Sequence, residues 1–294
     1  MSTRIRHLPR SEHRHRHKPR SAKNIIANVP YSLWMAIFIA VPMIFVVYYA
    51  FTDSYGNFAW FYNFVDAWRF RNNFWRSFAF AIATTFITLL IGYPFAYFMT
   101  KQSKYAQRMM MVLVMLPMWM NFLIRTYSWR NILALNGILN RFLGIFGVEP
   151  LFILGTPGAV ILGMVYNFLP FMIIPLYTIL SKIDKSVLEA SSDLGASRWN
   201  TFRHVILPLS MPGIITGMTL VLVPAISTFY IAHELGQRRL NMAGDMIALE
   251  MRQNHNYNLG AAMSLVLMVV IFICLSLMTI TNHYVFKRKG VIIS

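Results

Sequence analysis

The sequence predicts an all-α integral membrane protein with six transmembrane helices, and two features of its composition support this prediction. Of its 294 residues, 57% are hydrophobic and only 13% are charged, whereas soluble domains contain about 45–50% apolar and about 25% charged residues. The chain also has 27 Lys and Arg against 10 Asp and Glu, a bias typical of the cytoplasmic loops of membrane proteins. The high apolar content excludes a disordered chain, a basic tail that binds nucleic acid and an ordinary soluble enzyme of this length.

Six stretches are long and apolar enough to cross a bilayer, which requires about 20 helical residues. Five of them contain no Asp, Glu, Lys or Arg, while the third contains Arg125. We expect Arg125 near the outer end of its span, where it pairs internally or extends to the membrane surface. The predicted spans are Tyr31–Phe51, Ser77–Thr100, Met109–Trp129, Pro157–Leu180, Met211–Ala232 and Gly260–Phe286.

The distribution of basic residues predicts that both termini are cytoplasmic. With this orientation, 18 of the 27 Lys and Arg residues lie in the tails and inner loops, and nine lie outside. Residues 1–24 form a basic cytoplasmic tail in which His and Arg alternate. We interpret this tail as a solvated segment beside anionic lipid, with metal binding as the alternative. Residues 25–290 form the predicted transmembrane domain.

The loop at residues 184–208, between spans four and five, carries the most informative pattern. Asp184 can cap a short helix, and Gly195 can end that helix in a left-handed conformation. Ser197 can cap a second helix, which we expect Pro208 to stop just before the membrane. The two helices have predicted apolar faces, formed by Val187, Leu188, Ser191 and Leu194 in the first and by Trp199, Phe202, Val205 and Ile206 in the second.

The same loop resembles the EAA loop of ABC-importer membrane subunits, whose pattern is E-A-A-x3-G-x9-I-x-L-P. The matching residues are Glu189, Ala190, Gly195, Leu207 and Pro208, and two positions differ conservatively, Ser191 and Val205. Over roughly residues 30–287 the chain is also similar to the polyamine (spermidine/putrescine) permease family of the PotB/PotH type. The segments that carry this similarity include Gly92-Tyr93-Pro94-Phe95, Leu123-Ile124-Arg125-Thr126-Tyr127, Leu169-Pro170-Phe171-Met172 and Asp193-Leu194-Gly195-Ala196-Ser197.

This resemblance implies a type I ABC importer permease fold and a multi-pass subunit of a bacterial inner membrane. Such a subunit pairs with a second homologous permease, two copies of a cytoplasmic ATPase and an extracytoplasmic substrate-binding protein. The chain lacks the G-x4-G-K-[ST] phosphate loop, so we expect a non-catalytic subunit, with ATP and Mg²⁺ bound by the partner ATPase. The resemblance implies that the ATPase is contacted through Asp184, Glu189, Ala190, Ser191, Gly195, Leu207 and Pro208.

A pathway for a flexible polycation should offer carboxylates and aromatic faces. The candidate residues are Trp119, Asn121, Tyr166, Asn167, Tyr230 and Glu234. For the aromatic residues, packing or a position in the interfacial belt is the alternative interpretation. The acidic residues Asp245 and Glu250 share an outer loop with Glu234 and three arginines, and this loop is either a dock for the binding protein or an ordinary solvated loop.

Several other functions have less support in the sequence. His233-Glu234 begins a zinc-protease motif, but Gln237 stands where the second His is needed. The single cysteine, Cys274, excludes a disulfide framework and any Cys-based metal motif. Ferric-ion, phosphonate or oxyanion importers have related permeases, so these substrates remain alternatives to a polyamine. A self-contained secondary transporter is a further alternative, although the spans lack acidic residues suited to ion coupling.

Overall fold

The computed structural model describes residues 30–289, with side chains described as far as residue 281. The predicted basic tail therefore lies outside the described residues. The described residues divide into two units, one ending at Phe45 and the other beginning at Val46. Within the described range the secondary structure is helical apart from one isolated bridge between Thr52 and Phe58. The predicted all-α class is confirmed.

Helices are separated by short connections throughout residues 30–289. In chain order they are α1 (Pro30–Phe51), α2 (Tyr62–Ala67), α3 (Arg71–Thr100), α4 (Lys104–Trp119), α5 (Phe122–Leu133), α6 (Ile138–Ile145), α7 (Pro157–Leu180), α8 (Lys185–Asp193), α9 (Arg198–Ser227), α10 (Tyr230–Leu235), α11 (Ala243–Arg252) and α12 (Tyr257–Lys289).

Five helical segments in the described range are long and apolar enough to cross a membrane, and a bent pair makes a sixth. This agrees with the six predicted spans, although several boundaries differ. The second span is longer than predicted, because α2 and α3 together run from Tyr62 to Thr100. The sixth begins three residues before the predicted Gly260, at Tyr257.

The third predicted span, Met109–Trp129, is not one straight helix. α4 ends at Trp119, and the helical segment that follows is bent from it by 91°. Met120 adopts an extended conformation, and the side chain of Asn121 accepts a hydrogen bond from the N–H of Leu123 at 2.8 Å. An N-cap of this kind starts a new helix, so the expectation of a continuous span is wrong.

The fifth span also differs from the predicted Met211–Ala232. α9 already begins at Arg198 and ends at Ser227, where Thr228 takes an extended conformation. Residues 230–232 consequently belong to the separate short helix α10. The second half of the predicted loop, from Arg198, therefore belongs to the helix of span five, whereas the last residues of the predicted span lie outside it.

The core of the bundle is formed by α3, α7 and α9. The hydroxyls of Tyr93 on α3 and Ser210 on α9 form a buried hydrogen bond of 2.8 Å. Unbranched methionine side chains adapt to the spaces between bent helices. The fully buried residues in this bundle include Met99, Val160, Met164, Met172, Leu176, Val221 and Ile226.

Two asparagines satisfy backbone carbonyls at the end of α1. Asn63 and Asn258 each donate from Nδ2 to the carbonyl of Thr52, at 2.8 and 2.7 Å. The carbonyls of a helix end lack partners within the helix, and in a membrane protein an unsatisfied carbonyl is expensive. These contacts tie α2 and α12 to the segment that follows Phe51.

The helix α11 packs closely against the end of α9. Its first residue, Ala243, donates its N–H to the hydroxyl of Ser77 on α3 at 2.7 Å. At the next position, Gly244, an added Cβ would lie 2.7 Å from the carbonyl oxygen of Ser227 and 2.9 Å from that of Thr228. Only a residue without a side chain permits this approach.

We predict that Gly244→Ala lowers stability by about 1–3 kcal/mol, because the new methyl group displaces backbone rather than a flexible side chain. Gly144→Ala is the matched control, since a Cβ at this helical glycine meets no atom within 4 Å. The measurement is the thermal denaturation midpoint of the detergent-solubilised protein. Equal midpoints for the two variants would contradict the close approach at Gly244.

Candidate functional site

The loop at residues 184–208 forms the predicted helix, glycine turn and second helix. Asp184 caps α8, with its carboxylate accepting a hydrogen bond from the N–H of Ser186 at 3.0 Å. At the other end Gly195 has a φ of +77°, and the N–H of Ala196 donates to the carbonyl of Ser191 at 3.1 Å. Such a left-handed turn favours glycine, and the predicted local roles of Asp184 and Gly195 are confirmed.

The second helix begins as predicted but does not stop at Pro208. The Ser197 hydroxyl accepts from the N–H of Asn200 at 3.3 Å, and the helix then continues into span five. Residues Phe202–Ile206 form a π-helical turn, in which the N–H of Leu207 donates to the carbonyl of Phe202. Because Pro208 lacks an N–H and crowds the preceding turn, this wider turn lets the helix pass it. The expected stop is therefore wrong.

α8 and the first turns of α9 are joined to each other and to the bundle. Hydroxyl oxygens of Ser191 and Thr201 lie 3.0 Å apart. The ring of Phe202 packs edge-on against Tyr93 and Tyr97 of α3, with centroids 5.8 and 6.3 Å apart. A movement of the loop is thus connected directly to the central helices of the bundle.

The predicted apolar faces of the loop divide between the core and the surface. Leu188 and Phe202 pack against the core, whereas Leu194 is 88% exposed and Trp199 is 66% exposed. A large apolar surface of this kind is typical of an interaction site. Leu194 does not share the inward face of Leu188, which corrects the prediction of one continuous stripe.

Glu189 and Ala190 are both exposed on α8. Glu189 lines a cleft of about 600 Å³, which it shares with Lys101 and Lys104 at the joint between α3 and α4. Within the residues whose side chains are described, Glu189 forms no ion pair. The surface of this loop therefore carries an exposed carboxylate beside two lysines.

A second cluster of candidate residues lies at the opposite end of the bundle. The N–H of Gly155 donates to the carbonyl of Leu235 at 2.8 Å, which places α10 beside the start of α7. The loop at residues 184–208 follows the other end of α7, at Leu180. Tyr230 and Glu234 are consequently separated from Glu189 by the length of a membrane span.

The polar candidates of spans three and four form mainly backbone contacts. Asn121 caps α5, as described above. Asn167 donates from Nδ2 to the carbonyl of Gly163 at 2.8 Å, and its buried Oδ1 has no partner among the described residues. Trp119, at the end of α4, is 81% exposed. Tyr166 is half-buried, and its ring packs edge-on against Trp129 at a centroid distance of 5.3 Å.

Glu234 is paired with a residue that the sequence analysis did not include, Arg130. The Nη1 atom of Arg130 donates to Oε2 of Glu234 at 2.8 Å. Tyr230, one helical turn before Glu234, packs against Phe122 with centroids 6.2 Å apart. No local pattern could have indicated this pair, because its members lie 104 residues apart.

Arg125 lies in the first turn of α5, just after the bend of the third span. Its side chain is buried, and Nε and Nη1 have no hydrogen-bond partner among the described residues. Its guanidinium lies 5.9 Å from the centroid of the Phe122 ring. Within the described part of the chain, Arg125 thus neither forms an ion pair nor extends to the surface, and both predicted arrangements of its side chain are wrong.

The acidic residues of the predicted outer loop are largely buried. Asp245 lies in the first turn of α11 and accepts from the N–H of Met242 at 3.2 Å, and Glu250 is buried in the same helix. Burial raises the pKa of Asp245 to about 7, although the Met242 hydrogen bond opposes the shift. This segment is therefore a packed helix, and the alternative of an ordinary solvated loop is wrong for these two residues.

Comparison with known proteins assigns the chain to a family. The model of the "binding-protein-dependent transport system inner membrane component" family matches residues 88–290, which is more than half of the chain. The chain belongs to this family. It is a multi-pass, non-catalytic permease subunit of a bacterial inner-membrane ABC importer, and the self-contained secondary transporter is excluded.

Two relatives of this permease share about 40% of its sequence over most of their length. The spermidine/putrescine transport system permease protein PotB of Haemophilus influenzae is 40% identical over 250 residues, covering 81% of this chain and 86% of that protein. PotB of Escherichia coli (strain K12) is 42% identical over 192 residues, covering 65% of this chain and 70% of that protein. The resemblance to the PotB-type family is thereby confirmed.

Solved structures confirm the permease fold. A chain of the bacterial ABC transporter involved in the import of the acidic polysaccharide alginate is similar with a TM-score of 0.72, at 19% identity, covering 88% of this chain and 94% of that chain. A chain of the MetNI methionine ABC transporter has a TM-score of 0.57, at 17% identity, covering 74% and 96% respectively. At these identities the likeness concerns the fold alone.

We predict that Asp245→Asn reduces the pH dependence of stability of this permease. Between about pH 4 and 7, Asp245 is protonated in the folded state and ionised in the unfolded state. The free energy of unfolding therefore falls as pH rises, by at most about 1.4 kcal/mol per pH unit. Denaturation midpoints between pH 5 and 8 should therefore fall less in the variant than in the wild type. Asp193→Asn, at an exposed position, should keep the wild-type profile, and an unchanged profile for Asp245→Asn would contradict the prediction.

Proposed function

We propose that this permease is one of the two membrane subunits of an importer for polyamines such as spermidine and putrescine. The observation that carries the proposal is the 40% identity to a PotB permease over 81% of the chain. The partners are a second, homologous permease, two copies of a cytoplasmic ATPase that binds ATP and Mg²⁺, and an extracytoplasmic binding protein that delivers the substrate. The distribution of Lys and Arg supports cytoplasmic termini.

The loop at residues 184–208 is the proposed contact with the ATPase. Its exposed surface supports this role, since Leu194 and Trp199 are uncovered and the Glu189 carboxylate is available. Gly195 sets the angle between the two short helices, while Ala190 and Ser191 form the adjoining surface. Closure of the ATPases pushes on α8, and the continuous helix α9, which includes Leu207 and Pro208, transmits the movement to the span.

The proposed substrate pathway leads from the cluster around Tyr230 and Glu234 into the bundle. Tyr230 and Glu234 line a cavity of about 340 Å³ together with Asp245. Trp119, Asn121, Tyr166 and Asn167 are the proposed pathway residues of spans three and four. Aromatic faces and a small number of carboxylates bind an alkylammonium ion without holding it permanently.

The substrate is tested by uptake of labelled spermidine in a strain that lacks its own polyamine importers. We expect uptake when the complete transporter is expressed, and competition by excess unlabelled putrescine but not by phosphonate or ferric ion. The matched negative control omits only this permease. Absence of spermidine uptake, with transport of one of the other ligands, would contradict the proposed substrate.

The coupling role is tested with Glu189→Lys and Gly195→Asp. We expect each to reduce uptake about tenfold or more while ATP hydrolysis continues, because the loss of a central interface contact typically costs more than about 1 kcal/mol. A Cβ at Gly195 meets no described atom within 4 Å, but the φ of +77° strains any other residue there. The amount of permease in the membrane therefore separates a loss of coupling from a loss of folding. The measurements are uptake, ATPase activity and the amount of permease in the membrane.

Asp193→Lys is the matched control for Glu189→Lys. It introduces the same change of charge on the same helix, at an exposed residue that does not line the cleft with Lys101 and Lys104. It should retain most of the uptake. Normal uptake by Glu189→Lys, or equal losses in the two lysine variants, would show that Glu189 has no particular role in coupling.

A further inference from the structure

The contact between Arg130 and Glu234 connects two elements that are distant in sequence. Arg130 lies on α5, the second arm of the bent third span, and Glu234 lies on α10, which follows span five. The side chain of Glu234 is 14% exposed, whereas that of Arg130 is 46% exposed. The carboxylate is thus held in the protein, and the guanidinium reaches it from a more solvent-accessible position.

This pair differs from the other ion pair formed by the described side chains. The second pair, Arg69 with Asp66, lies within one stretch of helix, and its Arg69 side chain is 78% exposed. A surface pair of that kind contributes little to stability. Glu234, by contrast, is largely removed from water, where an unpaired carboxylate is unfavourable. A cation beside Glu234 therefore stabilises its charged form.

The surroundings of the pair are aromatic. The guanidinium of Arg130 lies 5.5 Å from the centroid of the Tyr127 ring. Tyr230 precedes Glu234 by one helical turn and packs against Phe122. A shielded carboxylate flanked by aromatic rings is the arrangement that recognises an alkylammonium ion. At this place in the molecule, the cation present is the protein's own guanidinium.

The pair is also accessible. Tyr230 and Glu234 line the cavity of about 340 Å³, and its other charged lining residues are Asp245, Arg238 and Arg252. A ligand in this cavity would therefore lie beside the carboxylate of Glu234. Arg130 does not line the cavity itself, so it could leave Glu234 without passing through the ligand's position.

We propose that Arg130 is a tethered cation that occupies an amine-binding position at Glu234, and that substrate entry exchanges its guanidinium for a protonated amine. This inference rests on the proposed polyamine import and deepens it by naming the group that the substrate displaces. No covalent bond changes, and the charge at the carboxylate stays balanced throughout. Exchange of one cation for another avoids the unpaired, shielded carboxylate that simple dissociation would leave.

The exchange also explains how a shielded carboxylate avoids trapping its substrate. An ammonium ion that binds Glu234 competes with a guanidinium that remains attached to α5 and therefore has a high effective concentration. When the substrate moves on, Arg130 returns and closes the position. A purely structural ion pair would instead only hold α5 against α10. Such a pair would work equally well with the two charges exchanged between the helices.

The experiment measures KM and maximal rate for labelled spermidine with the complete transporter in membrane vesicles. We expect Arg130→Gln to lower KM by about two- to fivefold, the change in affinity that corresponds to releasing a partly exposed ion pair. Glu234→Gln should raise KM about tenfold or more, because the amine loses its charged partner. In the double variant Arg130→Glu with Glu234→Arg, the ion pair is restored but the carboxylate changes helix, and KM should stay high.

Arg69→Gln is the matched control, because it removes the arginine of an exposed ion pair and should leave both kinetic constants unchanged. The amount of each variant in the membrane and its ATPase activity show whether the transporter is assembled. If the double variant fails to assemble, Arg130→Gln alone distinguishes the two roles of the pair. Loss of a structural contact would raise KM or lower the maximal rate, whereas loss of a competing cation lowers KM.

Two outcomes would overturn the inference, and they are distinguishable. If the wild-type transporter takes up spermidine but the double variant regains the wild-type KM, or Arg130→Gln raises KM, the pair is structural and only the inference fails. If the wild-type transporter takes up no polyamine, the proposed function fails and the inference fails with it.

Discussion

The hydrogen-bonding requirement of the backbone inside a bilayer is the constraint on which most of this structure depends. Regular helices meet it internally, so each interruption needs a side chain or an altered turn. The carbonyl of Thr52 receives two asparagine side chains, and Asn121 caps α5 at the bend. Ahead of Pro208, the hydrogen bond of Leu207 reaches back five residues. These polar side chains near the ends of the spans therefore form hydrogen bonds with backbone groups that have no partner within a helix.

This constraint separates what the sequence could predict from what it could not. Apolar length predicted the number of spans, and the short-range roles of Asp184 and Gly195 followed from capping and backbone preferences. The bend at residues 120–121 was missed because an Asn inside an apolar run has no distinctive pattern. Pro208 was misjudged because the compensating π turn depends on the five residues before it, which no propensity describes.

Contacts between distant elements were beyond prediction for a different reason. Glu234 was identified as a candidate from its charge and position, but its partner Arg130 lies on another helix and was counted only as one of the outer basic residues. Likewise, Arg125 was expected near the membrane surface, and only the bend shows that it is buried. Sequence patterns identify which groups are chemically unusual, whereas the packing of bent helices decides which groups meet.

The excess of positive charge has a different meaning at the two ends of the bundle. At the loop of residues 184–208, Lys101 and Lys104 share a cleft with Glu189, so the acidic group available for a partner is embedded in a basic surface. At the opposite end, Arg130 neutralises Glu234. On the proposed function, a polycation thus meets a carboxylate, Glu234, that is already balanced by the protein's own Arg130. Binding then depends on exchange rather than on net attraction, which lets a strongly basic permease bind a cation and still release it.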